Sequence, residues 1–273
     1  MIHVVTAANS GFYGPQLKQM HRLRREHSVA RRGWRFKDRQ GGEYDLGDDA
    51  NAVYFLGLDE DGDVLTSLRG RPTHDWALLT DQFADWVHAD IDIASLKSPT
   101  VWGLDRRLSV GGGRSTEAAR RQGPAMRVAY LETALAHGVT RAIGLCDAGL
   151  WGYAQSVWPG LRAIGLPRMR PGGGTALAFE LAVTRQAVMS LRERHQLAGP
   201  VALELEADDP WADWPKSEVE ALFRAATAPD LEQRAEREAA AFETGMLNLE
   251  AIEEMRDHCE RLWEGGRKGL RAS

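Results

Sequence analysis

Cysteine is nearly absent: the 273-residue chain has two, Cys146 and Cys259, far apart and with no second cysteine or histidine at ligand spacing. That excludes a disulfide framework and a thiolate zinc site, and it fits a reducing compartment. Long apolar runs are missing too; none reaches the ~18 residues a membrane span requires. The opening stretch Met1 to Ala8 lacks the charged start and apolar core of a signal peptide, so a cytoplasmic location is expected. There is no basic excess. The formal net charge is −5, and nucleic acid is not an expected partner. Neither G-x-S-x-G, nor H-E-x-x-H, nor a Walker sequence is present, which disfavours hydrolase, metalloprotease and P-loop chemistry.

What remains is an ordinary globular composition, long enough for one sizeable α/β domain with an appendage. Ile2 to Ala7 reads as a strand. Pro15 to Arg32 reads as a helix with Leu17, Met20 and Leu23 on one face and basic residues on the other, ended by Gly33. Trp34 to Asn51 reads as a long irregular loop. Ala52 to Leu58 and Val64 to Pro72 flank the acidic turn Asp59-Glu60-Asp61-Gly62-Asp63, which predicts a β-hairpin. Then follow a strand over Thr100 to Val110, a helix over Thr116 to His137, a strand over Val139 to Cys146, a helix over Leu150 to Trp158 and a strand over Ala176 to Thr184. The pattern predicts a three-layer α/β/α arrangement on a mixed sheet whose first half is antiparallel.

Beyond Gly199 the composition turns rich in Glu, Ala and Arg, punctuated by prolines. This divides the chain into a domain at 1–198 and a mostly helical extension at 199–273. Helical spacing over Leu231 to Trp263 predicts one long or broken helix that packs on its own domain, on a second subunit in a homodimer, or on a partner.

Met20-His21-Arg22-Leu23-Arg24, then Gly33-Trp34, then Glu43, Asp45 and Asp48 recur at a spacing that resembles the N-terminal block of the acyl-homoserine-lactone synthases. Ser67-Leu68-Arg69 and Val101-Trp102-Gly103-Leu104-Asp105-Arg106 continue the resemblance, which is clear over about residues 13 to 110 and weaker to about 185. It implies a fold similar to that of the N-acetyltransferases. It also implies an activity: the amine of S-adenosylmethionine attacks an acyl thioester on acyl carrier protein or coenzyme A, and lactonisation then releases methylthioadenosine and a quorum-sensing signal. Both reactants are substrates, and neither a cofactor nor a metal is implied. By this resemblance Arg24, Trp34, Asp45, Asp48, Arg69, Trp102 and Arg106 surround the substrate.

The residue types suit that ligand independently of any family. Asp45 and Asp48 balance its sulfonium and ammonium, an arginine holds its carboxylate bidentately, and Trp34 offers an aromatic face. Taken singly, each has a blander reading as turn former, core anchor or solvated charge.

Two positions depart from the family: Ser28 replaces a Phe, and Gly103 replaces a Glu assigned to proton removal from the attacking amine. An ammonium must lose a proton before it attacks, so another base is needed, and Glu43 and Asp105 are the candidates. Strand alternation puts Asp105 on the face of Gly103 and Arg106 on the other, unless a β-bulge intervenes. The loss at Gly103 leaves two alternatives standing: an N-acyltransferase acting on another amine, and a non-catalytic ligand-binding paralogue. Gly111-Gly112-Gly113-Arg114 offers backbone N–H groups to a phosphate or is a plain loop. The basic face of Arg22, Arg25, Arg31 and Arg32 offers a docking surface for an acidic carrier protein or is simply solvated.

Overall fold

The computed structural model describes residues 1–32, 38–39, 41–110, 117–170, 173–227, 251–259 and 261. In chain order it contains β1 (Ile2–Val5), α1 (Gly14–Arg32), β2 (Asp38–Arg39), β3 (Gly42–Glu43), β4 (Val53–Leu58), β5 (Val64–Pro72), α2 (Leu78–Gln82), β6 (Val101–Ser109), α3 (Glu117–Ala136) and β7 (Arg141–Asp147). Then come α4 (Trp151–Val157), β8 (Leu161–Ala163), β9 (Arg168–Met169), β10 (Thr175–Ala182), α5 (Arg185–His195), β11 (Ala202–Leu203) and α6 (Lys216–Ala226). Nine strands form one sheet in the order β11-β1-β4-β5-β6-β7-β10-β8, with β9 also paired to β10.

The predicted hairpin is β4 and β5. Its turn closes because the Asp59 carboxylate accepts from the Asp61 and Asp63 amides at 3.1 and 2.8 Å, while Gly62 takes a φ of +82° that a side chain would oppose. Pairing is antiparallel from β1 through β6, then parallel between β6 and β7, so the sheet is mixed.

Alternation along the strands sorts the apolar residues into two faces. Ile2, Val4, Phe55, Leu68, Trp102, Leu104 and Phe179 face α3 and α5, packing on Val128, Tyr130, Leu131 and Leu191. Val5, Tyr54, Leu56 and Val64 face the other way, onto Met20 of α1 and Val219, Leu222 and Phe223 of α6. On that second face, under the other half of the sheet, Val101, Ile143 and Ala178 pack on Leu79 of α2. The result is the expected three-layer α/β/α sandwich. No helix of the described residues is long and apolar enough to cross a membrane.

The segment beyond residue 199, expected as an appended unit, is built into this core instead. β11 extends the sheet in parallel beside β1, and Leu205, Trp211 and α6 fill the same cluster as β1 and β4. Polar groups seal that junction. Fully buried His3 donates through Nε2 to Glu220 of α6 at 3.1 Å and accepts from the Tyr13 hydroxyl at 3.0 Å. Burial lowers its pKa and keeps the ring neutral, which fixes that tautomer. Residues 251–259 are helical and bury Ile252, Met255 and Cys259 against the chain's own core; the rest of the helix expected over Leu231 to Trp263 lies outside the described residues, apart from 261. The sequence pattern did not reveal α5, whose apolar positions are spaced among charges, and it placed α6 only within a segment expected to be mostly helical.

Removing residues 200–273 is therefore expected to abolish cooperative thermal unfolding, and Phe223→Ala alone to cost about 3–5 kcal/mol. Circular dichroism melts of both variants check this. A truncated chain that melts like the intact protein would make the C-terminal segment an appendage after all.

Candidate active site

Four carboxylates and three guanidiniums meet under β5 and β6. The loop after β3 supplies Asp45 and Asp48, β3 itself supplies Glu43, and β6 supplies Asp105; the cations are Arg24 from α1, Arg69 from β5 and Arg106 from β6. Arg69, only 1% exposed, is the hub. Its five hydrogen bonds run from Nε and Nη2 to Asp105 at 2.8 and 3.1 Å, from Nη1 and Nη2 to Asp45 at 2.6 and 3.1 Å, and from Nη1 to Asp48 at 2.8 Å. A guanidinium has five N–H donors, so Arg69 is saturated. Arg24 grips Asp48 bidentately at 2.7 and 3.0 Å and lies 3.6 Å from Glu43. Arg106 reaches Glu43 at 3.2 Å and clasps Asp45 through Nε, at 2.8 Å, and Nη2.

The loop is folded for this purpose. The Asp45 amide donates to Asp48, the Gly47 amide donates to Asp45, and Tyr54 from β4 donates its hydroxyl to Asp48 at 2.9 Å. Gly47 is needed because a Cβ there would stand 2.8 Å from Arg69 Nη2 and 2.6 Å from the Trp76 ring. His21 stacks on Tyr44 with ring centroids 3.8 Å apart and donates through Nδ1 to the Glu43 carbonyl, which anchors β3 to α1.

Burial alone would raise the pKa of Asp45 and Asp48. The guanidiniums of Arg106 and Arg69 around Asp45, and of Arg24 and Arg69 around Asp48, outweigh it and hold both carboxyls well below the usual carboxylate range. By formal charge, four carboxylates and three guanidiniums leave the cluster with one excess negative charge.

A break in the sheet opens beside it. β6 and β7 pair only over Val101–Gly103 and Arg141–Ile143, although both strands run on; beyond that point they part. A cavity of about 530 Å³ fills the gap, lined by Asp105 to Ser109 on one strand and Leu145 to Asp147 on the other. Its wall includes Arg24 and Glu43 from the α1 face and Trp158 and Phe179 from the α3 face, so it passes through the sheet.

Of the residues expected around a ligand, Arg24, Glu43, Asp45, Asp48, Arg69, Asp105 and Arg106 come together here. Trp102 does not. It is 2% exposed on the opposite face, packed edge-on against Tyr130, because alternation along β6 turns it towards α3. Trp34, Ser28's side chain and Gly111 to Arg114 lie outside the described residues. The conflict between Asp105 and Arg106 is resolved by a β-bulge: the β5–β6 register shifts between Ser67 and Arg69, and Arg106 has a φ of +53°. Both side chains thereby reach one face. Tyr54 and His21 escaped the sequence reading, since a tyrosine in a strand and a histidine in a helix carry no signal of their partners.

Replacing Asp48 by Asn strands two buried guanidiniums and is expected to cost about 3–5 kcal/mol at pH 7. A depressed carboxyl contributes stability above its unfolded value of ~3.9 and loses it as the pH falls. The gap between wild type and Asp48→Asn in urea titrations is thus expected to narrow from about pH 4 downward. A gap that stays constant into strong acid would contradict an ionised Asp48.

The acyl-homoserine-lactone synthase MesI, described as CoA-dependent, shares 25% sequence identity and superposes with a TM-score of 0.61 over 76% of this chain and all of its own. BjaI, a CoA-dependent synthase solved with S-adenosylmethionine and isopentyl-CoA, matches at 21% identity and a TM-score of 0.63, over 80% of this chain and 99% of its own. The synthase LasI matches at 21% and 0.58, over 71% and 95%. The sequence profile of the autoinducer synthases matches residues 10–149, just over half of the chain and the stretch that carries the whole ion cluster. The chain belongs to the autoinducer synthase family.

Proposed function

We propose that this protein is an acyl-homoserine-lactone synthase that joins S-adenosylmethionine to an acyl group carried as a thioester on coenzyme A or acyl carrier protein. The observation that carries this reading is the acidic ion cluster at one end of a cavity that passes through the sheet. S-adenosylmethionine has a sulfonium, an ammonium and a carboxylate, hence one net positive charge, which the excess negative charge of the cluster complements. Arg24 and Arg106 border the cavity and supply the cationic side for its carboxylate, whereas Arg69, with every donor used, positions the acids.

The amine, once deprotonated, attacks the thioester carbonyl; the tetrahedral oxyanion collapses and the thiol leaves. The substrate carboxylate then displaces methylthioadenosine from its own γ-carbon and closes the lactone. Glu43 and Asp105 both border the cavity and are the candidates for taking the amine's proton. Most of the acceleration then comes from holding two substrates in line.

Gly103 supports one competing reading, an N-acyltransferase that does not lactonise. A Cβ at Gly103 would meet only the Arg71 carbonyl, at 3.7 Å, so the backbone there admits a side chain. The intact enzyme is expected to release methylthioadenosine in step with acyl-homoserine lactone when supplied with S-adenosylmethionine and acyl-CoAs, read by mass spectrometry. Glu43→Gln or Asp105→Asn, whichever removes the base, is expected to lower turnover ~10²–10⁴-fold with S-adenosylmethionine affinity retained. Gly103→Glu is expected to fold normally and to restore part of that loss. Acylated amine without methylthioadenosine would select the non-lactonising enzyme, and binding without any turnover would leave only a ligand-binding protein.

A further inference from the structure

The far end of the cavity has the opposite charge. Arg107 of β6 lies one residue past the bulge and points to the α3 face, where it lines a second small cavity of about 20 Å³ together with Arg127 of α3. Arg107, Leu108 and Trp158 border both cavities, so the two are contiguous. From α5, Arg194 donates to the Ser156 carbonyl of α4 at 2.9 Å, one turn from Tyr153, which borders the large cavity.

Among the described residues no carboxylate pairs with Arg107, Arg127 or Arg194, in contrast to the other end of the same cavity. Arg127 is only 5% exposed, yet its Nε has no hydrogen-bond partner, and His195 Nε2 beside it has none either. Burial and the neighbouring Arg107 and Arg194 depress the Arg127 pKa, while the Tyr153 hydroxyl gives it some relief. An unbalanced guanidinium in such a place costs stability unless an anion joins it.

We propose that Arg107, Arg127, Arg194 and His195 form a phosphate site between α3, α4 and α5 that holds the phosphate group of the acyl donor's pantetheine arm. This rests on the donor being a phosphopantetheine thioester, as in the proposed function. That arm is a neutral chain ending in a phosphate group, which carries one negative charge as the phosphodiester of a carrier protein or as the first phosphate of coenzyme A's diphosphate, and close to two in free 4′-phosphopantetheine. Its thioester end reaches the acidic cluster through the cavity while its charged end stays with the arginines. Guanidinium forks match phosphate oxygens in geometry as well as in charge.

Calorimetry with 4′-phosphopantetheine and with pantetheine tests the site directly, without turnover. Wild type is expected to prefer the phosphorylated arm by about tenfold or more, and Arg127→Met to lose that preference. Arg107→Gln and Arg194→Gln, both at exposed positions, are expected to weaken it without harming the fold. Arg127→Met is also expected to raise the melting temperature of the free protein, because it removes an uncompensated buried charge, while shrinking the rise caused by coenzyme A. A merely structural arginine gives the reverse. Free coenzyme A and a phosphopantetheinylated carrier protein, compared with its unmodified form, identify which source of the phosphate binds. Equal affinity for phosphorylated and bare pantetheine in wild type, or phosphate preference unchanged in all three variants, overturns the site. Phosphate-dependent binding in a protein that releases no methylthioadenosine keeps the site and removes the synthase assignment instead.

Discussion

Every element around the site is placed by the requirement that buried carboxylates meet cations. Asp45 and Asp48 sit in a loop that has almost no apolar anchor of its own; Arg24 from α1, Arg69 from β5 and Arg106 from β6 pin it from three sides. An ion cluster of this kind is weak evidence for stability, since desolvating seven charges offsets most of their attraction. The stability resides in the two apolar faces of the sheet, above all in Phe55, Trp102, Tyr130 and Phe223. Reserving so much buried charge for one place is consistent with a ligand that is itself multiply charged. Arg69 in particular could not be replaced by lysine, which offers three donors to the five acceptor contacts seen here.

Two irregularities in β6 convert this scaffold into a site. The bulge at Arg106 turns two consecutive charged side chains to one face, at the expense of a left-handed backbone that costs about 1–2 kcal/mol for a residue with a Cβ. Ion pairs to Glu43 and Asp45 hold it there. Past the third paired residue β6 leaves β7, and the sheet opens instead of continuing its ladder. A regular strand would have given neither the paired charges nor the opening. These two departures from regularity are what distinguish the candidate site from the rest of an ordinary mixed sheet.

Much of this was legible in the sequence, and the limits are instructive. Strand alternation and turn chemistry located β4, β5, β6, β7 and β10 to within a residue or two, because each is flanked closely by glycine, aspartate or proline. The acids and arginines of the cluster were found through their joint spacing, although no single one stands out. Trp102 was misplaced because a motif position says nothing about which face a strand residue occupies. The integration of β11 and α6 was invisible, since a charged and proline-punctuated segment reads as an appendage until its few apolar residues are seen filling the cluster around Trp211. Arg107 and Arg127 carried no signal at all: twenty residues apart in sequence, they meet only because α3 crosses the face to which the bulge turns Arg107.

The charge distribution along the cavity also bears on how two substrates avoid each other's places. The end on the α1 face has an excess of carboxylate, whereas the end on the α3 face has guanidiniums without acids. A cationic amine donor and an anionic phosphopantetheine arm are each attracted to one end and repelled from the other. Between them the wall turns apolar, with Leu104, Leu145, Trp158 and Phe179, which in the proposed reaction would displace water where the acyl group meets the amine. Low polarity there strengthens every charge interaction at both ends and favours the neutral amine over the ammonium. In the proposed reaction the opening in the sheet thus does more than provide space: it would hold two oppositely charged reactants in one line with their reacting ends together, and orientation of this kind is the larger part of what an acyl transfer requires.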